Sequence, residues 1–166
     1  MDFQRQTNRR LYEEHAATLQ LLARVERVFS GRAGAYPPPA DDAAWSPFAR
    51  TLLGAIEGEL ARHFEFEERD LFPRLEDAGD GDLVALLNEE HTTIRAVAQA
   101  LAELLRQSLD AGLRPEQWQT MKTRALEFNE RLGSHAEKED GALLPLLENL
   151  LDEDTDRELF GAYAAL

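Results

Sequence analysis

Cysteine is missing from all 166 residues of the chain. This absence excludes disulfide bonds, thiolate metal ligands and thiol nucleophiles, so any metal ion must be held by nitrogen and oxygen atoms. Long hydrophobic runs are missing as well, because no apolar stretch could cross a bilayer and the N-terminal residues do not resemble a signal peptide. We therefore expect a soluble, cytoplasmic protein that has no membrane partner.

Positive charge is scarce, since 18 Lys and Arg face 32 Asp and Glu and leave a formal net charge of -14. Nucleic acids and anionic membranes are bound by clustered Lys and Arg, so the sequence argues against both partners. The acid excess is typical of a solvated surface. Gly-rich phosphate motifs and hydrolytic triads are also absent. We expect a monomer or small homo-oligomer, and the sequence identifies no protein partner.

Strand signals are absent too, whereas Leu and Ala recur with helical spacing, so we predict an all-α fold. Glycine and proline divide the chain into four long helices and one short helix, predicted over residues 5–30, 46–77, 81–110, 115–148 and 155–163. A long loop over residues 31–45 joins the first two helices, and the other connections are short, which favours antiparallel neighbours. We predict one domain over residues 1–166, an antiparallel up-down-up-down four-helix bundle at about 5–150 with a short C-terminal helix.

All four histidines of the chain lie in two repeated phrases. The sequence LYEEH at 11–15 returns as LNEEH at 87–91, and HFEFEE at 63–68 returns as HAEKED at 135–140. In the second phrase a histidine precedes a glutamate by four residues, a spacing that puts both side chains on one face of a helix. Two such pairs, together with two single histidines, are typical of a metal site inside a helical bundle.

Six polar residues occupy core positions in the apolar stripes of the four long helices, namely His15, His63, Glu67, His91, His135 and Glu139. Burying charged groups without partners would cost several kcal/mol each, against a net stability of about 5 to 15 kcal/mol for a domain. Glu67 and His91 each lie 12 residues from Gly79, which is about 18 Å of helix, so both should lie at the same height. We expect all six side chains to meet at mid-length.

Four imidazoles and two carboxylates are too many ligands for one zinc ion, which usually takes four. Two ions fit better, each with two histidines and both sharing the carboxylates. Nitrogen and oxygen ligands without thiolate favour iron over manganese or zinc. Open coordination positions would then remain for water, for an oxo or hydroxo bridge, or for a small molecule such as dioxygen. A hydrogen-bonded network without any metal is the alternative interpretation.

The series His15, His63-x-x-x-Glu67, His91 and His135-x-x-x-Glu139, with Glu68 and Leu71-Phe72-Pro73 after the second histidine, resembles the hemerythrin-like or HHE cation-binding domain. The resemblance covers about residues 8–150. It implies an up-down-up-down bundle with two non-haem iron ions. It also implies that Glu67 and Glu139 bridge the ions, with His15 and His63 on one iron and His91 and His135 on the other.

Members of this family carry or sense dioxygen, respond to nitric oxide, sense iron or repair damaged iron centres. Oxygen carriers have a fifth histidine one turn before the third-helix ligand, where this chain has Leu87, and this difference argues against reversible carriage. We therefore expect a di-iron protein that binds or senses a diatomic ligand, dioxygen or nitric oxide. A di-iron oxidoreductase acting on peroxide or nitric oxide, and an iron reservoir or donor for repair, stay open, as does whether the chain is an enzyme.

Other metal-binding folds and other ligands fit the sequence less well. The ferritin-like fold needs Glu-x-x-His pairs, which no histidine of this chain forms. A layer with four histidines and two acids leaves little room for a haem. Tyr12, Glu14 and Glu90 are candidates for an additional ligand, but each lies off the apolar stripe of its helix. We expect these three to be solvated or to support a ligand from behind.

Overall fold

The computed structural model describes residues 2–30 and 35–165, and within these ranges every regular element is a helix. The five helices are α1 (Gln6–Ser30), α2 (residues 45–78), α3 (Gly81–Asp110), α4 (residues 115–150) and α5 (Glu153–Ala164). The all-α prediction is confirmed. Four residues of the predicted 31–45 loop, 31–34, lie outside the described residues. No helix in the described part of the chain is long and apolar enough to cross a membrane.

Two of the helices change their hydrogen-bonding pattern along their length. α2 contains α-helical segments and π-helical turns in the order Trp45–Gly54, Ala55–Leu60 (π), Ala61–Phe66, Glu67–Leu71 (π) and Phe72–Ala78. α4 consists of Pro115–Lys138, the π-helical turn Glu139–Leu143 and Leu144–Leu150. Two of these wider turns therefore begin at the repeated glutamates, and π-helical turns are frequent at functional sites.

The π-helical turns also explain how both helices continue through a proline. Pro73 and Pro145 lack a backbone N–H, and each would clash with the carbonyl four residues earlier in a regular α-helix. The turn before Pro73 is wider, since the N–H of Phe72 donates to the carbonyl of Glu67 five residues back. The equivalent bond joins the residue before Pro145 to Glu139. This wider geometry relieves the clash, so neither helix ends at its proline.

The short C-terminal helix is longer than the predicted 155–163. Its first residue is Glu153, because the side chain of Asp152 accepts a hydrogen bond from the backbone N–H of Thr155 at 2.8 Å. An aspartate at this position satisfies one of the free N–H groups at the start of a helix. The cap therefore sets the boundary two residues before the predicted one.

Apolar side chains form two core clusters with a polar layer between them. The first cluster is built around Phe29, Trp45 and Trp118, whose rings lie 5.2 to 6.0 Å apart. The second contains Leu71 and Leu75 near the other end of the molecule. α1 packs against α4 and α5, while α3 packs against α2 and α4. Each long helix thus crosses both clusters and carries its predicted site residues between them.

Gly79, which ends α2, provides a test of the fold. Its φ of 103° lies in the left-handed region, which costs a residue with a Cβ about 1 to 2 kcal/mol. We predict that Gly79→Ala lowers the free energy of unfolding by about this amount in urea denaturation. The control is Gly54→Ala, at an exposed helical position with open space around a new Cβ. This substitution should raise the free energy of unfolding by about 0.5 to 1 kcal/mol. Equal effects would contradict the assigned turn.

Candidate metal centre

The structure brings together all six residues that the sequence predicts as metal ligands. Their side chains come from four different helices, and each residue is at most 7% exposed. The members are His15 on α1, His63 and Glu67 on α2, His91 on α3, and His135 and Glu139 on α4. Apolar packing alone cannot stabilise a buried layer with two carboxylates and four imidazoles, so its polar atoms must interact with one another or with a cation.

The four imidazole rings form two pairs. Nε2 of His15 lies 3.2 Å from Nε2 of His63, and Nε2 of His91 lies 3.0 Å from Nε2 of His135. Each pair therefore directs two ring nitrogens at one point. Neutral imidazole has one N–H donor and one acceptor nitrogen. Whether each short Nε2–Nε2 contact is a hydrogen bond or a repulsion between two lone pairs therefore depends on which nitrogen carries the proton.

The two carboxylates lie between the imidazole pairs and face both of them. Oε1 of Glu67 is 3.2 Å from Nε2 of His63, and its Oε2 is 3.4 Å from Nε2 of His91. Oε2 of Glu139 is 3.2 Å from Nε2 of His15, and its Oε1 is 2.9 Å from Nε2 of His135. The arrangement divides into two groups of four donors that share both glutamates, with the donor atoms of each group within 4.8 Å of one another.

The outer nitrogen of every imidazole faces a carboxylate on another helix. The four Nδ1 contacts are His63 to Glu14 at 3.0 Å, His91 to Glu68 at 2.7 Å, His135 to Glu90 at 2.9 Å and His15 to Asp140 at 2.6 Å. They form a closed ring, because an acid on α1 holds a histidine of α2, and α2, α3 and α4 continue the same pattern back to α1. We call these four residues the outer acids.

The outer acids decide which way each imidazole is protonated. A carboxylate accepts the Nδ1–H, so the Nε2 lone pair of a neutral ring points into the centre, as in histidines that bind metals. The two lone pairs of each imidazole pair would then face each other across about 3 Å. A cation between them removes this repulsion, and so the four rings are oriented as nitrogen ligands.

The central carboxylates also fit a cation. All four oxygens of Glu67 and Glu139 are buried, and none has an aligned hydrogen-bond donor among the described residues. Buried anions without partners are among the least favourable groups in a protein interior. Two glutamates and four imidazoles supply the nitrogen and oxygen donors that iron and similar divalent metals prefer. The residues therefore fit a metal centre better than they fit an apolar core.

Without a cation, protons take over its role. Burial favours neutral imidazole, yet the surrounding carboxylates outweigh burial and raise the pKa of His15 and of His91 to about 9. The same competition raises the pKa of His63 well above its usual value. Burial opposes charge on Glu139 as well, but the histidines around it hold its pKa well below the usual range. The metal-free centre therefore attracts positive charge.

The sequence predicts only part of the outer ring. Glu14 and Glu90 are predicted to be solvated or to support a ligand, and the structure places both behind histidines. Tyr12 instead packs edge-on against Phe3, with ring centroids 5.8 Å apart. Glu68 and Asp140 were not predicted as partners of histidines. A signal was present, because each outer acid is the immediate sequence neighbour of a predicted ligand on its own helix.

The two imidazole pairs have different surroundings. Phe64 stacks on His91, with ring centroids 3.6 Å apart and planes 11° from parallel, and meets the ring of His135 edge-on at 5.4 Å. A cavity of about 480 Å³ between α1, α2 and α4 is lined by His15, His63 and His135 and also reaches Glu139 and Phe64. Both rings of one pair thus border the cavity, whereas in the other pair His135 borders it and Phe64 covers His91.

Comparison with known proteins agrees with this geometry. The family model of the hemerythrin HHE cation binding domain matches residues 6–147. This range contains all six predicted ligands and all four outer acids, and it ends before α5 begins. No curated protein matches the chain.

The raised pKa values predict how the metal-free protein responds to pH. A histidine titrates near pH 6.5 in the unfolded chain, whereas His15 and His91 titrate at about 9 in the folded protein. Their contribution to stability is therefore full below about pH 6.5 and is lost as the pH rises through about 9. We predict that the melting temperature of chelator-treated protein falls by several degrees over this interval.

Protein loaded with metal is the control for this pH dependence. Its melting temperature should not fall over the same interval, because protons compete with metal for the imidazoles and raising the pH favours the metal. A flat profile for the metal-free protein between pH 6.5 and 9 would contradict the raised pKa values and the close packing of the six groups.

Proposed function

The chain belongs to the hemerythrin HHE cation-binding domain family, and from this membership we propose that it is a non-haem di-iron protein that binds or senses dioxygen or nitric oxide. The observation that carries the proposal is the pair of buried glutamates, whose four oxygens lie between two pairs of imidazole nitrogens and have no aligned hydrogen-bond donor among the residues the structure describes. Two cations sharing both carboxylates would satisfy every one of these atoms. A single cation would leave one pair of imidazoles without a metal ion to bind.

We assign the ligands as the geometry divides them. His15 and His63 would hold one iron, His91 and His135 the other, and the two glutamates would bridge both. When bound, the irons would supply coordination positions at which a small molecule can bind. The protein's own residues would orient the rings through the outer acids and neutralise the buried charge. Leu87 is fully buried in apolar surroundings, so it supplies no further ligand.

The same proposal includes the arrangement of the helices within a single domain. An antiparallel up-down-up-down bundle of α1 to α4, with α5 packed outside, would bring the predicted ligands of all four long helices to a common height. The ring of outer acids supports this arrangement, because it joins each long helix to the next and joins α4 back to α1. The turn at Gly79 supports antiparallel packing of α2 and α3.

The cavity supports a small, neutral ligand. Its lining includes apolar residues such as Leu22, Ile56 and Leu132 together with charged residues such as Arg10 and Glu59. The apolar residues give an uncharged diatomic molecule a surface along which it can reach the centre. The cavity reaches both rings of the His15 and His63 pair but only His135 of the other pair, because Phe64 covers His91. The ligand would therefore bind at the His15 and His63 end, where both rings border the cavity.

The surroundings of the ligands favour a retained metal centre over a store from which iron is released. Every histidine is held by two elements, its own helix and the outer acid of another helix. Such support raises the metal affinity of a site, and its loss typically lowers affinity by about 10- to 100-fold. Tight, preorganised ligands suit binding or sensing better than donation of iron.

The bridging role of the glutamates predicts a specific pattern of mutant behaviour. Glu67→Gln and Glu139→Gln should each lower iron affinity by at least about 10-fold, because an amide cannot bridge two cations as a carboxylate does. Elemental analysis and chelator competition measure the effect. Glu65→Gln and Glu137→Gln are matched controls, since both residues belong to the same repeated phrases but are exposed. Unchanged affinity in both site variants would contradict the assignment.

Titration with nitric oxide tests the function itself. Reduced, iron-loaded protein should show an absorbance change that saturates with added nitric oxide under anaerobic conditions, because binding without turnover consumes a fixed amount of ligand. Continued consumption of nitric oxide or hydrogen peroxide would contradict this and indicate a di-iron oxidoreductase. Rapid transfer of iron to an acceptor would indicate an iron donor instead.

The route of the ligand is tested by filling the cavity. Thr18 lies one turn beyond His15 on α1 and lines the cavity, so Thr18→Phe should slow nitric oxide binding without removing iron. Thr92→Phe on α3 is the control, because Thr92 is exposed beside His91 and does not line the cavity. Equal association rates in both variants would show that the ligand enters elsewhere.

A further inference from the structure

We propose that Tyr163, on the C-terminal helix α5, is a positioning residue that tunes the candidate metal centre through Glu14 and His63. This inference rests on the proposed function, because it takes His63 as a metal ligand. Tyr163 lies outside the segment that the family model matches, so the contact is a feature of this chain beyond the shared domain.

One carboxylate oxygen joins Tyr163 to the centre. Oε2 of Glu14 accepts a hydrogen bond from the Tyr163 hydroxyl and also accepts the Nδ1–H of His63 at 3.0 Å. The other oxygen of Glu14 is held by Arg10 at 2.9 Å and by Arg62 at 3.3 Å. Tyr163 is only 4% exposed, so water does not compete freely for this bond. The same oxygen of Glu14 therefore accepts hydrogen bonds from a tyrosine and from a proposed ligand histidine.

The register of α5 against α1 places the tyrosine at Glu14. At the start of both helices the carboxylate of Asp156 accepts the backbone N–H of Gln6 at 2.8 Å and that of Thr7 at 2.9 Å. From Thr7 to Glu14 and from Asp156 to Tyr163 the step is seven residues in each case. Seven residues are about two helical turns, so both contacts lie on one face. α5 thus runs parallel to α1 with a fixed alignment.

The tyrosine ring is held independently of its hydroxyl. It stacks on Phe66, with ring centroids 4.3 Å apart and planes 26° from parallel. The guanidinium carbon of Arg62 lies 5.3 Å from the ring centroid on its face. Replacing the hydroxyl by hydrogen should leave these contacts in place, so Tyr163→Phe isolates the hydrogen bond to Glu14.

The chemistry gives the direction of the effect. A carboxylate oxygen that accepts a hydrogen bond from a hydroxyl has less charge to offer a second donor. Tyr163 should therefore weaken the pull of Glu14 on the Nδ1 proton of His63 and make this imidazole a weaker electron donor to the metal. Glu68 and Glu90 pair with the cations Arg95 and Lys138, as Glu14 does with Arg10 and Arg62. Among the described residues, only the outer acid at His63 has a tyrosine partner.

Proton NMR of protein loaded with Zn²⁺ tests this inference, because zinc is diamagnetic and the histidine Nδ1–H resonances report the strength of each hydrogen bond. Tyr163→Phe should move the His63 Nδ1–H resonance downfield, and Glu14→Gln should move it upfield, because an amide oxygen is the weaker acceptor. In the double variant the tyrosine substitution should shift the resonance less than it does in wild-type protein, since its effect passes through Glu14. Tyr12→Phe is the matched control and should leave the resonance unmoved.

Opposite shifts are the decisive outcome, because a purely structural role of Tyr163 would move the resonance in the same direction as Glu14→Gln. An unmoved resonance, or an upfield shift, in Tyr163→Phe would overturn the inference while leaving the metal site intact. Wild-type protein that binds no Zn²⁺ at the six ligands would instead overturn the proposed function. Zinc stoichiometry measured on the same samples separates the two failures.

Discussion

Two buried glutamates that have no aligned hydrogen-bond donor in the described part of the chain are the feature on which the interior of this protein depends. Glu67 and Glu139 lie at the centre of a polar layer between two apolar clusters, where an unpaired carboxylate is strongly unfavourable. Imidazole nitrogens surround them on both sides. Protons or cations must therefore occupy the layer, and the orientation of the rings favours cations. The helices, the turns and the apolar clusters hold this layer in place.

The ring of outer acids follows from helical geometry. Successive residues on a helix point about 100° apart, so an acid beside a core-facing ligand points sideways, towards a neighbouring helix. Glu14, Glu68, Glu90 and Asp140 all have this placement, and each reaches a histidine of another helix. The same contacts orient the ligands and connect the helices. Site and fold are therefore stabilised by the same interactions, and a change at one outer acid affects two helices.

The repeated phrases produce two similar halves, yet the surroundings make the halves unequal. Phe64 covers His91, while a cavity borders both His15 and His63 and, of the other pair, only His135. Tyr163 adds a further difference, because it joins the outer acid of His63 to a helix that has no counterpart in the repeat. The contact of Tyr163 and the larger share of the cavity lining thus lie at the same end of the centre.

Periodicity and spacing in the sequence determined the all-α class, the approximate helix boundaries and the identity of the six inward residues. These are local properties, because a step of three or four residues sets a helical face whatever surrounds the helix. The turn at Gly79 and the equal spacing on either side of it also predicted that Glu67 and His91 share a layer. The π-helical turns had no such signal, since the i+5 bond leaves no separate pattern in the residues.

Tertiary structure alone decided the contacts between helices. Which acid lies behind which histidine, why Phe64 stacks on one ring pair, and how Tyr163 reaches Glu14 all depend on the rotation of each helix and on the order of its neighbours. Residues that are adjacent in space here are separated by 23 to 149 positions in the chain. No local rule connects residues so far apart, because only the packed helices bring them within hydrogen-bonding distance.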